Sequence, residues 1–186
     1  MAENTIAINK MMNPLASGSN VWLFGYGSLI YKVDFPYLER NRASIANWAR
    51  RFWQGSSDHR GTVELPGRVV TLVAEPGAIC AGVAFLVSAD TFDHLDHREK
   101  NGYLRLSTDI TFDDGSSAPG LVYIAAEHNP EFLGEASELE IARHIAQAEG
   151  PSGPNRDYLL HLAQALRDMD EYDFHVFEIE RHLKSL

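Results

Sequence analysis

The chain has 186 residues, of which 45% are hydrophobic, and a formal net charge of −10 at pH 7. A chain of this length and composition is expected to form one domain that buries roughly 70% of its unfolded surface, without a metal or disulfide staple. The acidic balance argues against a nucleic-acid surface, because phosphate backbones require clustered cations. The single cysteine, Cys80, excludes an internal disulfide and any multi-cysteine zinc site.

Polar residues interrupt the first 20 positions, so no secretion signal is expected there, and no segment approaches the roughly 20 apolar residues that span a bilayer. We therefore expect no membrane partner and a cytoplasmic location, which agrees with the use of one cysteine. Residues 1–20 are predicted to be a flexible N-terminal extension. Residues 21–186 are predicted to form a single domain.

Six apolar runs rich in aromatic and β-branched residues dominate the chain as far as residue 127, and they predict strands. They cover residues 21–24, 44–53, 68–74, 79–87, 103–112 and 121–126. Strands with few helices between them favour an antiparallel, barrel-like sheet.

One short helix is predicted between these strands, at residues 90–98, and three more follow Pro130. Ser137-Glu138-Leu139-Glu140 is a capping box that predicts the start of the first of these three. The second should cover residues 155–169, and the third should hold Val176, Ile179 and Leu183 on one face.

Gly25-Tyr26-Gly27-Ser28-Leu29 directly follows the first predicted strand. Two glycines at a strand exit permit a tight turn that leaves backbone N–H groups unpaired, and successive unpaired amides attract an anion. The absence of a side chain at Gly27 would let a small carboxylate or phosphate approach the main chain. A turn that merely closes the strand explains the glycines equally well.

Other chemistries find less support in the sequence. His94 and His97 are neighbours on a helix face, but a zinc site needs a third ligand, so a polar helix end is the preferred interpretation and no metal is expected. Gly27-Ser28 lacks the glycine spacing of a serine-hydrolase nucleophile elbow, since Tyr26 and Ile30 occupy the required positions. No Gly-Lys-Ser/Thr follows the turn, which excludes a phosphate loop.

A carboxylate lies between two cations in Arg98-Glu99-Lys100, at the junction of the short helix with the next strand. Alone, this is an ordinary charged helix end. Gly102, just after it, allows a sharp turn that could hold Glu99 at the rim of a pocket.

Six short motifs occur in a fixed order along residues 21 to about 160, and jointly they are specific. They are FGYGSLI at 24–30, RFWQGS at 51–56, DHRG at 58–61, PGRVVTL at 66–72, REKNGY at 98–103 and GPSG at 150–153. Through these motifs the chain resembles the ChaC family of glutathione-specific γ-glutamylcyclotransferases. It departs from the family pattern in residues 1–20, in a shorter segment before Glu99, and in Asn101, where the family more often has glycine.

The resemblance implies an α+β fold with a mixed, mainly antiparallel barrel-like sheet flanked by helices, no cofactor, and conversion of glutathione to 5-oxoproline and cysteinylglycine. It places the catalytic carboxylate at Glu99. The residues expected to bind substrate are Gly25, Tyr26, Gly27, Ser28, Leu29, Arg68 and Tyr158. Arg68 could supply positive charge or form a surface ion pair, and Tyr158 could line the pocket or pack in the core.

A base close to the substrate α-amine works best when partial burial raises its pKa, and neighbouring cations would oppose that shift. Arg98 and Lys100 are therefore expected to point away from the pocket. Two other functions stay open: cyclisation of other γ-glutamyl amino acids or amines, and a non-catalytic γ-glutamyl-binding regulator of a transporter or signalling partner. The protein is expected to be a monomer or weak dimer.

Overall fold

The computed structural model describes residues 4–186, and five strands of this part of the chain close into a barrel. They are β1 (Asn20–Gly25), β2 (Glu39–Ser56), β3 (Gly67–Ser88), β4 (Tyr103–Phe112) and β5 (Ser117–Ala125). The strand order is β1-β3-β2-β4-β5, and closure comes from the parallel pairing of β1 with β5, all other neighbours being antiparallel. The predicted α+β class with a mixed, mainly antiparallel barrel is confirmed.

The two strands predicted at residues 68–74 and 79–87 are one continuous strand, β3, so that prediction is wrong. β3 pairs with β2 on both sides of residues 75–78, which face a shift in register at Asn47. Asn47 adopts a left-handed backbone conformation, with φ 65°, and its side chain accepts a hydrogen bond from Gly77 N at 2.9 Å. A bulge thus accommodates Pro76, which has no N–H to donate, without ending the strand.

Four helices pack around the barrel at the positions expected from the sequence. They are α2 (Phe92–Arg98), α3 (Glu138–Gln147), α4 (Asn155–Asp168) and α5 (Phe174–Leu183). The capping box at Ser137 forms in both directions, as predicted. A two-residue hairpin, β6 (Glu149–Gly150) with β7 (Gly153–Pro154), joins α3 to α4.

A further helix, α1 (Ile6–Met12), lies in the segment that we expected to be flexible. Thr5 donates its backbone N–H and its hydroxyl to the carbonyl of Lys100. The fully buried Asn9 side chain donates to Tyr103 O at 3.1 Å and accepts from Arg105 N at 2.8 Å. Buried hydrogen bonds thus join residues 5–12 to β4 and to the segment just before it. Residues 1–3 lie outside the described part of the chain.

Aliphatic and aromatic side chains fill the barrel and the layer between it and helices α3 to α5. The largest fully buried side chains are Leu23, Phe24, Ile45, Phe52, Phe85, Leu95, Ile110, Ile141, Ile145, Leu159, Leu162 and Leu166. Each predicted face residue of α5 is buried as well. In residues 4–186, no helix has the length and apolar character needed to cross a membrane.

Candidate active site

The glycine turn lies where β1 leaves the barrel, and a short 3₁₀ turn, Ser28–Ile30, follows it. The N–H groups of Gly27, Ser28 and Leu29 have no hydrogen-bond acceptor within residues 4–186. A Cβ at Gly27 would lie 2.7 Å from Val70 Cγ2 and 3.0 Å from the Tyr158 hydroxyl. A side chain at this position would therefore collide with its neighbours, and glycine leaves the three amides accessible.

The end of helix α2 positions Glu99 beside the glycine turn. Its last turn ends with Glu99 N–H donating to Leu95 O, after which Gly102 reverses the chain with φ 87° and β4 begins. The sharp turn predicted at Gly102 is thus present in the structure. It leaves the Glu99 side chain 16% exposed and directed into a cleft.

Two adjoining cavities meet at Glu99. The inner one, of about 40 Å³, is lined by Phe24, Tyr26, Gly27, Ser28, Leu29, Val70, Glu99, Tyr103, Tyr123 and Tyr158. The outer one, of about 230 Å³, shares Ser28, Glu99, Tyr103 and Tyr158 with it. The carboxylate therefore lies between a small chamber lined by the glycine turn and a larger cleft.

Burial raises the pKa of the Glu99 carboxyl above its usual 4.5. The Arg98 guanidinium opposes this shift, with its Nε 3.3 Å from Glu99 Oε1, while the charges of Asp34 and Asp58 add to it. The net direction is upward because desolvation of the charged form is the largest effect. Glu99 is thus a carboxylate that binds a proton more readily than an exposed one.

Arg98 does not point away from the pocket, so that prediction is wrong. Its guanidinium donates to Ser28 Oγ at 3.0 Å and to Lys32 O at 2.9 Å, and it pairs with Asp34. The carboxylate of Asp34 and the carbonyl of Lys32 fix the guanidinium at the rim and balance part of its charge. Lys100 is not among the residues that line either cavity.

The remaining predicted residues fall into two groups. Leu29 and Tyr158 line the inner cavity beside Gly27, and the Tyr158 hydroxyl accepts a hydrogen bond from Val70 N at 3.4 Å. Tyr26 also lines it, but its buried hydroxyl is engaged, since it donates to Tyr123 O at 2.6 Å.

Gly25 and Arg68 line neither cavity. The Arg68 guanidinium is buried and donates to the carbonyls of Phe52 and Gly134 at 2.9 and 3.0 Å. The structure thus turns this cation toward the backbone and does not bring it to Glu99. A Cβ at Gly25 would lie 2.8 Å from the Cβ of Leu29, so Gly25 serves the path of the turn itself.

The family model described as ChaC-like protein matches residues 21–186. The chain belongs to the ChaC-like family. It is 43% identical over 187 residues to a Danio rerio protein named glutathione-specific gamma-glutamylcyclotransferase 1, covering 94% of each chain. It is 41% identical to gamma-glutamylcyclotransferase 2-3 of Arabidopsis thaliana, covering 89% of each.

Among solved structures, the chain resembles the crystal structure of a γ-glutamyl cyclotransferase specific to glutathione from yeast. The TM-score is 0.84 at 30% identity, covering 90% of this chain and 96% of that one. The barrel with its flanking helices is therefore the γ-glutamylcyclotransferase fold.

Several cleft residues lie in the ChaC-like motifs but received no role from the sequence. They are Asp58, His59 and Arg60 of DHRG, Asn101 and Tyr103 of REKNGY, and Ser152 of GPSG. The Tyr103 hydroxyl donates to Val70 O at 2.9 Å, and Asn101 donates to Asp58. The motifs themselves were the signal, since blocks distant in sequence meet around one cleft. Across residues 4–186, no three His, Cys, Asp or Glu side chains are arranged to hold a metal ion.

Proposed function

We propose that this ChaC-like protein cleaves glutathione by cyclisation of its γ-glutamyl group, releasing 5-oxo-L-proline and L-cysteinylglycine. The observation that carries this proposal is the shared inner cavity, where the accessible amides of the glycine turn and the carboxylate of Glu99 line the same space. The relatives with glutathione-specific names, matched over most of the chain, support the same reaction.

The amides of Gly27, Ser28 and Leu29 are suited to bind the α-carboxylate of the γ-glutamyl group. Three N–H donors form charge-assisted hydrogen bonds with an anion and need no cationic side chain in a protein of net charge −10. Tyr158 and Tyr103 also line the chamber. Its small size, about 40 Å³, favours a curled γ-glutamyl group in which the α-amine approaches the γ-carbonyl.

Glu99 lies where it can move the proton that the reaction requires. The α-amine, with a pKa of about 8, is mostly protonated at neutral pH and must lose a proton before it attacks. Glu99 accepts that proton, and the amine nitrogen forms a bond with the γ-carbonyl carbon. The bond from this carbon to the cysteinyl nitrogen breaks as Glu99 returns the proton to the departing nitrogen, and the ring nitrogen gives up its second proton to the amine that is released. No water is consumed, so the step is an intramolecular aminolysis that releases cysteinylglycine.

The raised pKa of Glu99 fits both of these roles. A carboxylate at its usual pKa would take the proton of an ammonium group reluctantly, whereas desolvation brings the two pKa values closer together. The Arg98 guanidinium donates a hydrogen bond to Ser28 Oγ and also forms an ion pair with Glu99. It therefore fixes the distance between the glycine turn and the base.

The test is incubation with glutathione followed by chromatography of the products. Formation of 5-oxoproline and cysteinylglycine in equal amounts is expected. Faster release of 5-oxoproline from γ-glutamylalanine than from glutathione would point to the rival substrate class. Binding of glutathione with no loss of the tripeptide over time would indicate the non-catalytic regulator.

A cytoplasmic location and a monomeric or weakly dimeric state are also proposed. The first is supported by the single cysteine, Cys80, which is buried and unpaired, as is usual in a reducing compartment. The second rests on the sequence alone. Size-exclusion chromatography with light scattering measures it directly.

A further inference from the structure

The outer cavity must receive the cysteinylglycine half of glutathione if the proposed function holds, and this inference rests on that function. The inner chamber is too small for a tripeptide, and Glu99 lies on the wall that it shares with the outer cleft. An extended dipeptide places the glycine carboxylate roughly 7 Å beyond the scissile carbonyl. This second carboxylate therefore lies in the outer cleft, away from the glycine turn.

Three cationic side chains of Lys and Arg line the outer cleft, and they differ in how far neighbouring acids engage them. Arg98 is occupied by Asp34, Glu99 and Ser28. Arg60 and Lys32 form no ion pair with any residue in the described range 4–186, but Lys32 is exposed to solvent whereas Arg60 is partly buried. Arg60 is thus a partly buried guanidinium in the cleft with no carboxylate of this part of the chain within ion-pair distance.

The backbone around Arg60 is held firmly, as a binding residue requires. Arg60 N donates to Ser56 Oγ at 3.1 Å, and Nη1 donates to Pro154 O at 3.1 Å. A Cβ at Gly67 would lie 2.5 Å from the carbonyl oxygen of Arg60, and one at Gly150 would meet the backbone of residues 59 and 61. Glycines at these positions let three backbone segments touch, which fixes the base of the side chain while four guanidinium N–H groups stay available.

Tyr31 provides an independent indication that ligand occupies this part of the cleft. Its hydroxyl is buried and has no hydrogen-bond partner in residues 4–186. A buried polar group without a partner is unfavourable by about 1–3 kcal/mol, so such a group commonly marks the place of a ligand or water. Burial raises the pKa of Tyr31, while the guanidinium groups of Arg60 and Arg98 act in the opposite direction, which places the hydroxyl within range of both.

We infer that Arg60 binds the glycine carboxylate of glutathione and thereby selects the tripeptide over γ-glutamyl amino acids and amines. The bond is charge-assisted, and the fork of the guanidinium matches the two carboxylate oxygens. The Tyr31 hydroxyl donates to the peptide carbonyl between the two ends of the substrate. Neutral γ-glutamyl amines cannot form the first interaction.

The test compares glutathione with its glycine carboxamide, which has nearly the same size but lacks the terminal charge. For the wild-type protein, kcat/KM should be about 10- to 100-fold lower for the carboxamide. In Arg60→Gln, KM for glutathione should rise by a similar factor and the preference should vanish. Arg60→Lys keeps the charge without the fork and should show an intermediate preference, which covers the case of a misfolded Arg60→Gln. Lys32→Gln removes a charge from the same cleft and should retain the full preference.

Equal use of both substrates by the wild-type protein would overturn the inference, as would a full preference in Arg60→Gln or its loss in Lys32→Gln. Failure of the wild-type protein to cleave either compound would instead refute the proposed function. In that case, calorimetric titration of the same two compounds into the same proteins decides the inference, because the affinity ratio should follow Arg60 in the same way.

Discussion

At the scale of single residues, Glu99 is the proposed base, and its replacement separates substrate binding from proton transfer. Glu99→Gln keeps the shape of the side chain and removes the base. We expect kcat to fall by about 10² to 10⁴, with a small change in KM, because the turn amides proposed to bind the substrate are intact. Steady-state assay of 5-oxoproline measures both constants.

Glu131→Gln is the matched control, since Glu131 also lines the outer cavity, accepts a hydrogen bond from Ser57 there and takes no part in the proposed proton transfer. It should keep activity close to the parent. Turnover of Glu99→Gln within tenfold of the wild type would contradict the assignment of the base. In the wild-type protein, the acid limb of the pH–rate profile should lie above the usual glutamate pKa of 4.5, because the deprotonated form is needed.

The same residue is expected to reduce the stability of the fold. A carboxyl with a raised pKa in the folded state favours folding when protonated, and that contribution is lost as pH rises from 4.5 through the raised value. Glu99→Gln should therefore have a higher Tm than the wild type at pH 7 and an equal Tm below pH 4. Calorimetry at both pH values tests this. A lower Tm for the variant at pH 7 would show that pairing with Arg98 outweighs desolvation.

At the scale of elements, α1 supports the strand that begins beside the site. It lies before residue 21, where the match to the ChaC-like family begins, so it is a feature of this chain beyond that match. Arg105 of β4 donates to the carbonyls of Asn9 and Asn13 and to the carboxylate of Asp96 on α2. Helices α1 and α2 are therefore connected through one buried guanidinium, immediately behind the segment that carries Glu99.

Asn9→Ala tests this support. It leaves Arg105 N and Tyr103 O without their side-chain partner in a buried position, so the free energy of unfolding should fall by about 2 kcal/mol. Urea denaturation measures the loss. Lys10→Ala, on the exposed side of the same helix, should leave it unchanged within error. Equal midpoints for Asn9→Ala and the wild type would mean that α1 contributes nothing to stability.

The sequence predicted some elements well because local signals determine them. The capping box at Ser137 sets the start of α3, and apolar spacing sets α4 and α5. Helix α1 has no such signal: its one buried residue is the polar Asn9, whose partners lie more than 90 positions away. The continuity of β3 likewise depends on the bulge at Asn47, a contact with the neighbouring strand that the sequence around Pro76 does not reveal.

In the candidate site, too, features with local sequence signals could be predicted and features set by distant contacts could not. The turn and Glu99 could be predicted, since glycine spacing and the ChaC-like motifs mark them. The direction of Arg98 could not, because it is set by Asp34, which is 64 positions away in the sequence. Arg68 could not be placed either, since its partners are main-chain carbonyls, which any sequence provides.

At the scale of the whole molecule, buried polar groups connect α5 to the barrel behind the site. Arg50 of β2 donates to Tyr26 O at 2.7 Å, next to the glycine turn, and to Asp173, the cap of α5, at 2.6 Å. His175 of α5 accepts a hydrogen bond from Phe52 N at 3.0 Å through Nε2. The C-terminal helix is thus joined to the strand that passes beneath the turn.

His175 makes this connection dependent on pH. Burial lowers its pKa below 6.5, the Arg51 charge adds to this, and Glu138 opposes it with an oxygen 3.1 Å from Nδ1. A histidine with a lowered pKa stabilises the fold above pH 6.5, and that stabilisation is lost as pH falls from 6.5 through the lowered value. Protonation of Nε2 removes the acceptor for Phe52 N.

We predict that Tm falls as the pH is lowered from 7.5 to 5. In His175→Gln the decrease in Tm should be smaller, because the amide oxygen of the new side chain can still accept a hydrogen bond from Phe52 N. The raised pKa of Glu99 gives a pH dependence of the opposite sign, so both proteins should carry Glu99→Gln, which removes that contribution. His128→Gln, at an exposed position, should keep the full decrease. An undiminished decrease in His175→Gln would mean that other groups govern acid unfolding and that the joint between α5 and β2 is insensitive to protonation.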